Sequence, residues 1–164
     1  MESVQWLVKN PGPSYLRLGK AGEPKLHTVR GIDTGPLKVV DGTAGCALVS
    51  TGGMLKTALD ACKILEAEGL KVSVFSLPRL KPISRNLLSP LHRFGTLIAL
   101  EEHVVEGGLA AVLRENLPSG IAVHSAALPE AVSNQVGTQD YLRTVGGLSA
   151  LDVARLCKQR NSAG

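Results

Sequence analysis

The sequence predicts an α/β fold of three layers, a mainly parallel, twisted sheet of about five strands with helices on both faces. Three observations predict it. The stretch 46–82, CALVSTGGMLKTALDACKILEAEGLKVSVFSLPRLKP, reads as a complete strand–helix–strand unit in which Ala47, Leu48 and Val49 form one apolar run and Val72, Val74 and Phe75 a second. Between the runs, Leu55, Ala58, Leu59, Cys62 and Leu65 recur at helical spacing, while Lys56, Asp60, Lys63 and Glu66 take the other side. The rest of the chain repeats the alternation of apolar runs and helical stripes. Two strands joined by a helix of that length lie parallel, through a right-handed crossover that buries both faces.

Each element follows from local chemistry. Residues 2–9 carry Val4, Leu7 and Val8 on one side of a helix too short to stand alone. Asn10-Pro11-Gly12-Pro13 stops it, because proline breaks the helix and biases its predecessor toward extended geometry. Residues 14–18 alternate enough for a short strand, and 20–36, rich in Gly, Pro and charge, read as an extended linker. Leu37, Val39 and Val40 suggest an edge strand, and Asp41-Gly42 a hairpin turn leading to the first core strand. Gly52-Gly53 turns the chain out of that strand, and Gly69 sits where a left-handed helix cap is expected.

After Pro78 and Pro82, Ser84 is placed to cap a short helix carrying Leu87, Leu88 and Leu91. A third core strand is expected at 95–100, ending on Glu101-Glu102-His103. Gly107-Gly108 then opens a helix with Leu109, Val112, Leu113 and Leu117. Ile121, Val123 and His124 make a fourth core strand, and helical segments follow at 139–145 and 150–160, the last striped by Leu151, Ala154, Leu156 and Cys157. The expected organisation is 1–36 as the end of a preceding domain's helix plus a linker, 37–160 as the α/β domain, and 161–164 as a disordered tail.

Composition narrows the function classes. At 164 residues the chain suits one domain, and 44% hydrophobic with 20% charged residues belongs to an ordinary globular protein. The net charge of +4 is scattered and only 3% of residues are aromatic, so base stacking has little to work with and no nucleic-acid partner is expected. Three cysteines, Cys46, Cys62 and Cys157, lack metal-ligand spacing and read as buried apolar residues in a reducing compartment. The N-terminus lacks a signal-peptide pattern and no apolar run is long enough to span a bilayer, so no membrane partner is expected and the expected location is the cytoplasm or an organelle matrix.

Chemistry has few places to sit. Gly52 and Gly53 meet a helix N-terminus and could present N–H groups to an anion, but the stretch lacks both the dinucleotide fingerprint and the P-loop ending, and a tight turn needs the same glycines. Gly107 and Gly108 open a second such turn. Glu101 and His103, at the carboxyl end of a strand, are candidate polar groups for a cleft; the ordinary alternative has one glutamate capping the Gly107-Gly108 helix turn and the other meeting a cation. Arg17 and Lys20 could hold a phosphate carried by a substrate, with solvated charge as the alternative. His27, His92 and His124 have no sequence partners for a triad or a metal set, and Trp6 and Tyr15 suit a contact surface better than a site. No catalytic, cofactor-binding or metal-binding residue is assigned.

Four segments, GPSYLRLGK at 12–20, ALVSTGGM at 47–54, VFSLPRLKPI at 74–83 and ALEEHVVEGGLAAVLRE at 99–115, together resemble the C-terminal domain of transketolase-type thiamine diphosphate enzymes. They come in the family's order and spacing and cover nearly the whole chain. Deoxyxylulose-phosphate synthase and the β subunit of 2-oxo acid dehydrogenase decarboxylases carry a similar domain. The resemblance implies that thiamine diphosphate and Mg2+ are bound by two other domains, so this chain alone is expected neither to bind the cofactor nor to turn over substrate. It also places Arg17 and Lys20 in a linker that brings a basic residue toward the substrate's phosphate. Lys20 stands where many members have arginine, a point charge in place of a bidentate fork.

The expected function is therefore that of a non-catalytic C-terminal part of an enzyme transferring two-carbon ketol units between sugar phosphates. Its expected partners are the remaining domains or a separate N-terminal subunit, together with a second copy of itself. The alternative from another class is a free-standing module that binds a ligand or a protein on the same scaffold, and within the enzyme reading the resemblance leaves open the equivalent domain of a deoxyxylulose-phosphate synthase or of a 2-oxo acid dehydrogenase β subunit.

Overall fold

The computed structural model describes residues 2–19 and 24–161, so Lys20 lies outside the described residues. Its centre is one sheet of five strands, β1 (Leu37–Val40), β2 (Cys46–Ser50), β3 (Ser73–Ser76), β4 (Thr96–Val104) and β5 (Ala122–Leu128), in the order β1-β3-β2-β4-β5. All neighbours are parallel except β1, which runs antiparallel on the edge beside β3. The helices are α1 (Glu2–Lys9), α2 (Met54–Ala67), α3 (Leu109–Asn116), α4 (Gln139–Val145) and α5 (Ala150–Asn161). Single-strand alternation sorts the core. Cys46 and Leu48 face one side, where α2 and α5 supply Leu55, Ala58, Leu65, Ala154 and Cys157, whereas Ala47 and Val49 face α3 and a 3-10 segment (Arg85–Leu91) through Leu88, Leu91, Leu109 and Leu113. Three layers result, with the α/β architecture expected.

Within the layers, α2 ends as its sequence dictates. The Leu70 N–H returns to the Leu65 carbonyl at 2.9 Å and the Gly69 N–H to Glu66 at 2.9 Å, with Gly69 at φ +86°. Helix α5 presents Val153, Ala154 and Cys157 to the core. Leu151, expected in that stripe, is 55% exposed, because the helix docks one position round from the expected face. α5 also continues through Asn161, one residue into the expected tail, and 162–164 lie outside the described residues.

Three further expectations are corrected. Residues 14–18 form no strand; they are extended chain with Tyr15 and Leu18 exposed, so their alternation buries no apolar face that would hold a strand against the sheet. The Asp41-Gly42 turn makes no β1–β2 hairpin, because β3 lies between the two strands. The chain instead crosses the start of β3, where the Gly42 N–H donates to Ser73 Oγ at 2.9 Å and the Ala44 N–H to the Lys71 carbonyl at 2.8 Å. A Cβ at Gly42 would sit 2.3 Å from the Val72 carbonyl carbon, so the crossing needs that glycine. Finally, β4 does not end at Leu100 but continues through Val104, pairing with Leu128 of β5 beyond a register shift, so Glu101, Glu102 and His103 lie within the strand.

Candidate functional site

The strand order reverses between β2 and β4. From β2 the chain moves to β3 on one side, then returns past β2 to β4 on the other. The carboxyl ends of β2 and β4 therefore flank the crevice where open α/β sheets hold ligands. The Thr51 N–H donates to the Leu100 carbonyl at 3.1 Å, keeping the two strands in register up to the turn. Gly52 then takes φ +57°, a conformation that favours glycine, and α2 starts behind Gly53 without a side-chain cap.

On the β4 side the two glutamates part. Glu101 is 3% exposed and turns toward α3, where Oε2 accepts the Leu109 N–H at 2.6 Å and Oε1 the Ala110 N–H at 3.4 Å. It satisfies free donors at the helix start, where a negative charge is favoured. Glu102 turns to the opposite face and meets α4, accepting from Arg143 Nη2 at 3.1 Å and from Gln139 Nε2 at 2.8 and 2.9 Å. One glutamate caps and the other meets a cation, as the ordinary alternative has it. Glu101 and His103 are not brought together in a cleft. His103 is exposed, its Nδ1 lying 2.8 Å from the Val104 carbonyl, while Glu101 is buried against α3.

The linker reaches the same edge. Arg17 Nη1 donates to the Glu102 carbonyl at 3.0 Å, so the chain before β1 lies over the end of β4. Farther along, Trp6 of α1 donates to Asp33, which also pairs with Arg79, and the Arg79 guanidinium stacks 5.3 Å from the Trp6 ring centre. Trp6 is thus packed, whereas Tyr15 is 89% exposed. The Lys56 ammonium near the start of α2 is held above its ordinary pKa, chiefly by its hydrogen bond to Asp60, with Asp140 raising it and Arg143 lowering it further off.

Sequence reasoning missed Gln139, Arg143 and Arg79. Arg143 stands 41 residues from Glu102, and no local spacing announces such a pair. Glu101 and Glu102 are committed to protein partners, and among the described residues no group of three His, Cys, Asp or Glu side chains is arranged to hold a metal ion. Nor is any helix among them long and apolar enough to cross a membrane.

Residues 35–145 match the family model described as transketolase, C-terminal domain. The chain is 33% identical over 156 residues to 1-deoxy-D-xylulose-5-phosphate synthase 2 of Geobacter sulfurreducens, covering 90% of this chain and 25% of that protein. A transketolase family protein of Sinorhizobium fredii is 28% identical over 154 residues, with 92% of this chain and 43% of that protein covered. Among solved structures, a split-gene transketolase in an inactive beta4 tetramer superposes with a TM-score of 0.85 at 32% identity, over 98% of this chain and 54% of that one. A transketolase of Pichia stipitis, at 21% identity and a TM-score of 0.58 over 79% of this chain, shares the fold. The chain thus spans a quarter of the Geobacter protein and about half of the split-gene chain. With the family model covering the sheet and the crevice described above, the chain belongs to the transketolase C-terminal domain family.

Proposed function

We propose that this chain is the non-catalytic C-terminal part of a transketolase-like enzyme that moves two-carbon ketol units between sugar phosphates. The observation that carries the reading is the superposition over 98% of the chain on a split-gene transketolase at 32% identity, which takes in the helix and linker before the sheet as well as the sheet itself. On this reading 1–36 is the end of a preceding domain plus the linker, and 37–160 is the domain proper. Thiamine diphosphate and Mg2+ would supply the ylid chemistry in the complete enzyme. The residues here do not fit that group, since Glu101 is spent on α3 and Glu102 on Arg143 and Gln139. The cofactor would therefore be held by the remaining domains or by a separate N-terminal subunit, and no step is assigned to it on this chain.

What the chain itself supplies is position. Its linker crosses the carboxyl edge of β4 and is fastened there by Arg17, which leaves Arg17, and Lys20 beyond it, as the candidates for holding a substrate phosphate. Self-association and a cytoplasmic setting belong to the same reading. A second reading is favoured by the curated relatives, several of which are 1-deoxy-D-xylulose-5-phosphate synthases. Reconstitution separates the two. The purified chain is mixed with the subunit or domains completing it, plus thiamine diphosphate and Mg2+, and assayed with xylulose 5-phosphate and ribose 5-phosphate or with pyruvate and glyceraldehyde 3-phosphate. Turnover of the first pair only in the mixture supports the ketol-transfer reading; turnover of the second pair supports the synthase. Cofactor binding by the chain alone, read by calorimetry, would overturn the non-catalytic assignment.

A further inference from the structure

We propose that Cys46 and Cys157 form a reversible intramolecular disulfide, a modification site that fastens the last helix, α5, to the central strand β2. The two sulfurs lie 2.8 Å apart although the residues are 111 positions apart in the chain. Bonded sulfurs stand about 2.05 Å apart, so closure asks for a further approach of roughly 0.8 Å. Both side chains are fully buried, on regular elements that aim them at each other. The two thiols share a hydrogen bond in which either sulfur can be the donor, and that bond lowers the Cys46 thiol and raises the Cys157 thiol. Cys62, the third cysteine, is spoken for: its Sγ points to the Val72 carbonyl at 3.6 Å, and burial raises its thiol.

In a reducing compartment the pair is a dithiol. Oxidation needs an external acceptor, and glutathione disulfide is the class that suits. The Cys46 thiolate attacks one sulfur of the oxidised glutathione, releasing one reduced glutathione and leaving a mixed disulfide. The Cys157 thiolate, its proton lost to solvent, then attacks the Cys46 sulfur, forming the Cys46–Cys157 bond and releasing the second glutathione. Two electrons pass from the protein to the two glutathione molecules. Access runs through α5. That helix commits only Val153, Ala154 and Cys157 to full burial and is tied at its end by the exposed Lys158–Glu68 pair at 2.6 Å, so it is the element on the site that opens at least cost.

The full chain is equilibrated in a graded series of reduced and oxidised glutathione. One arm starts folded and one is refolded from guanidinium in the same buffers, so that access does not limit the reaction. Samples are trapped by alkylation and mapped by mass spectrometry without reduction. The expected product at the oxidising end is a single crosslink joining the Cys46 and Cys157 peptides, reversed by dithiothreitol and accompanied by a rise of several degrees in the thermal midpoint. Cys62→Ala keeps crosslink and shift, whereas Cys157→Ser loses both. Full alkylation of both thiols in the refolded arm, or a crosslink through Cys62 in place of either partner, would overturn the proposal.

Discussion

The Glu101 carboxylate occupies the space that a side chain at Gly108 would need: a Cβ built there lies 2.3 Å from Oε1 and 2.5 Å from Cδ. The glycine of the β4–α3 turn and the buried acid of β4 are therefore one device. Gly108 lets the carboxylate reach across the turn, and the carboxylate satisfies the first N–H groups of α3.

Gly108→Ala is expected to destabilise the chain by about 1–3 kcal/mol, because displacing Glu101 leaves buried donors unpaired. Glu101→Ala should cost about 2–4 kcal/mol, adding a cavity to the same loss. In urea unfolding the double variant should fall short of the sum of the two singles. Strict additivity would show that the two residues do not act together.

Helix α4 buries none of its residues fully, so its hold on the sheet passes through Glu102. The Glu102 and Arg143 side chains are 19% and 15% exposed, enclosed enough for the pair to matter beyond a surface ion pair. Glu102→Ala should raise amide hydrogen exchange across 139–145 by about tenfold or more, with β2 and β4 amides unchanged. Unchanged exchange in α4 would mean that the loops at its ends hold it instead.

Burial pushes the His124 imidazole below its ordinary pKa of 6.5, and the charges of Arg160 and Arg114 push in the same direction. A base with a depressed folded pKa binds fewer protons folded than unfolded. Its contribution is thus complete above about pH 6.5 and is lost as pH falls through the folded value. Stability of the parent chain should decline on acidification from pH 7 to 5, and the decline should be shallower in His124→Gln. Superimposable pH profiles would exclude His124 as its source.

Arg17 is exposed and makes one hydrogen bond to the Glu102 carbonyl, so Arg17→Ala should change stability by no more than about 0.5 kcal/mol. If the linker holds a substrate phosphate as proposed, the same variant in the reconstituted enzyme should raise KM for the phosphorylated substrate by about tenfold, with a smaller effect on kcat. An unchanged KM would leave Arg17 a fastener of the linker and nothing more.

Most of the fold was legible in the sequence because it is written in short-range patterns. The 46–82 unit, the Gly69 cap, the α3 start and the two last helices all rest on spacings of a few residues, which fix period and punctuation. The resemblance of four spaced segments carried the family, which residues 35–145 then matched. The candidate site was legible only in part. That one glutamate would cap and its neighbour would meet a cation follows from strand alternation, but which cation does not, since Arg143 is reached across 41 residues.

What the sequence determined by itself, then, is the set of elements and the sheet they build, because local propensity and burial period are properties of neighbouring residues. Only the tertiary structure decided the partners: β1 beside β3 rather than β2, Leu151 outside the α5 stripe, Arg17 on the end of β4, and the Cys46 and Cys157 sulfurs in contact. Such pairings are settled by which surfaces fit once the layers close, and by the polar groups left to satisfy there. Neither is encoded in the spacing of residues along the chain.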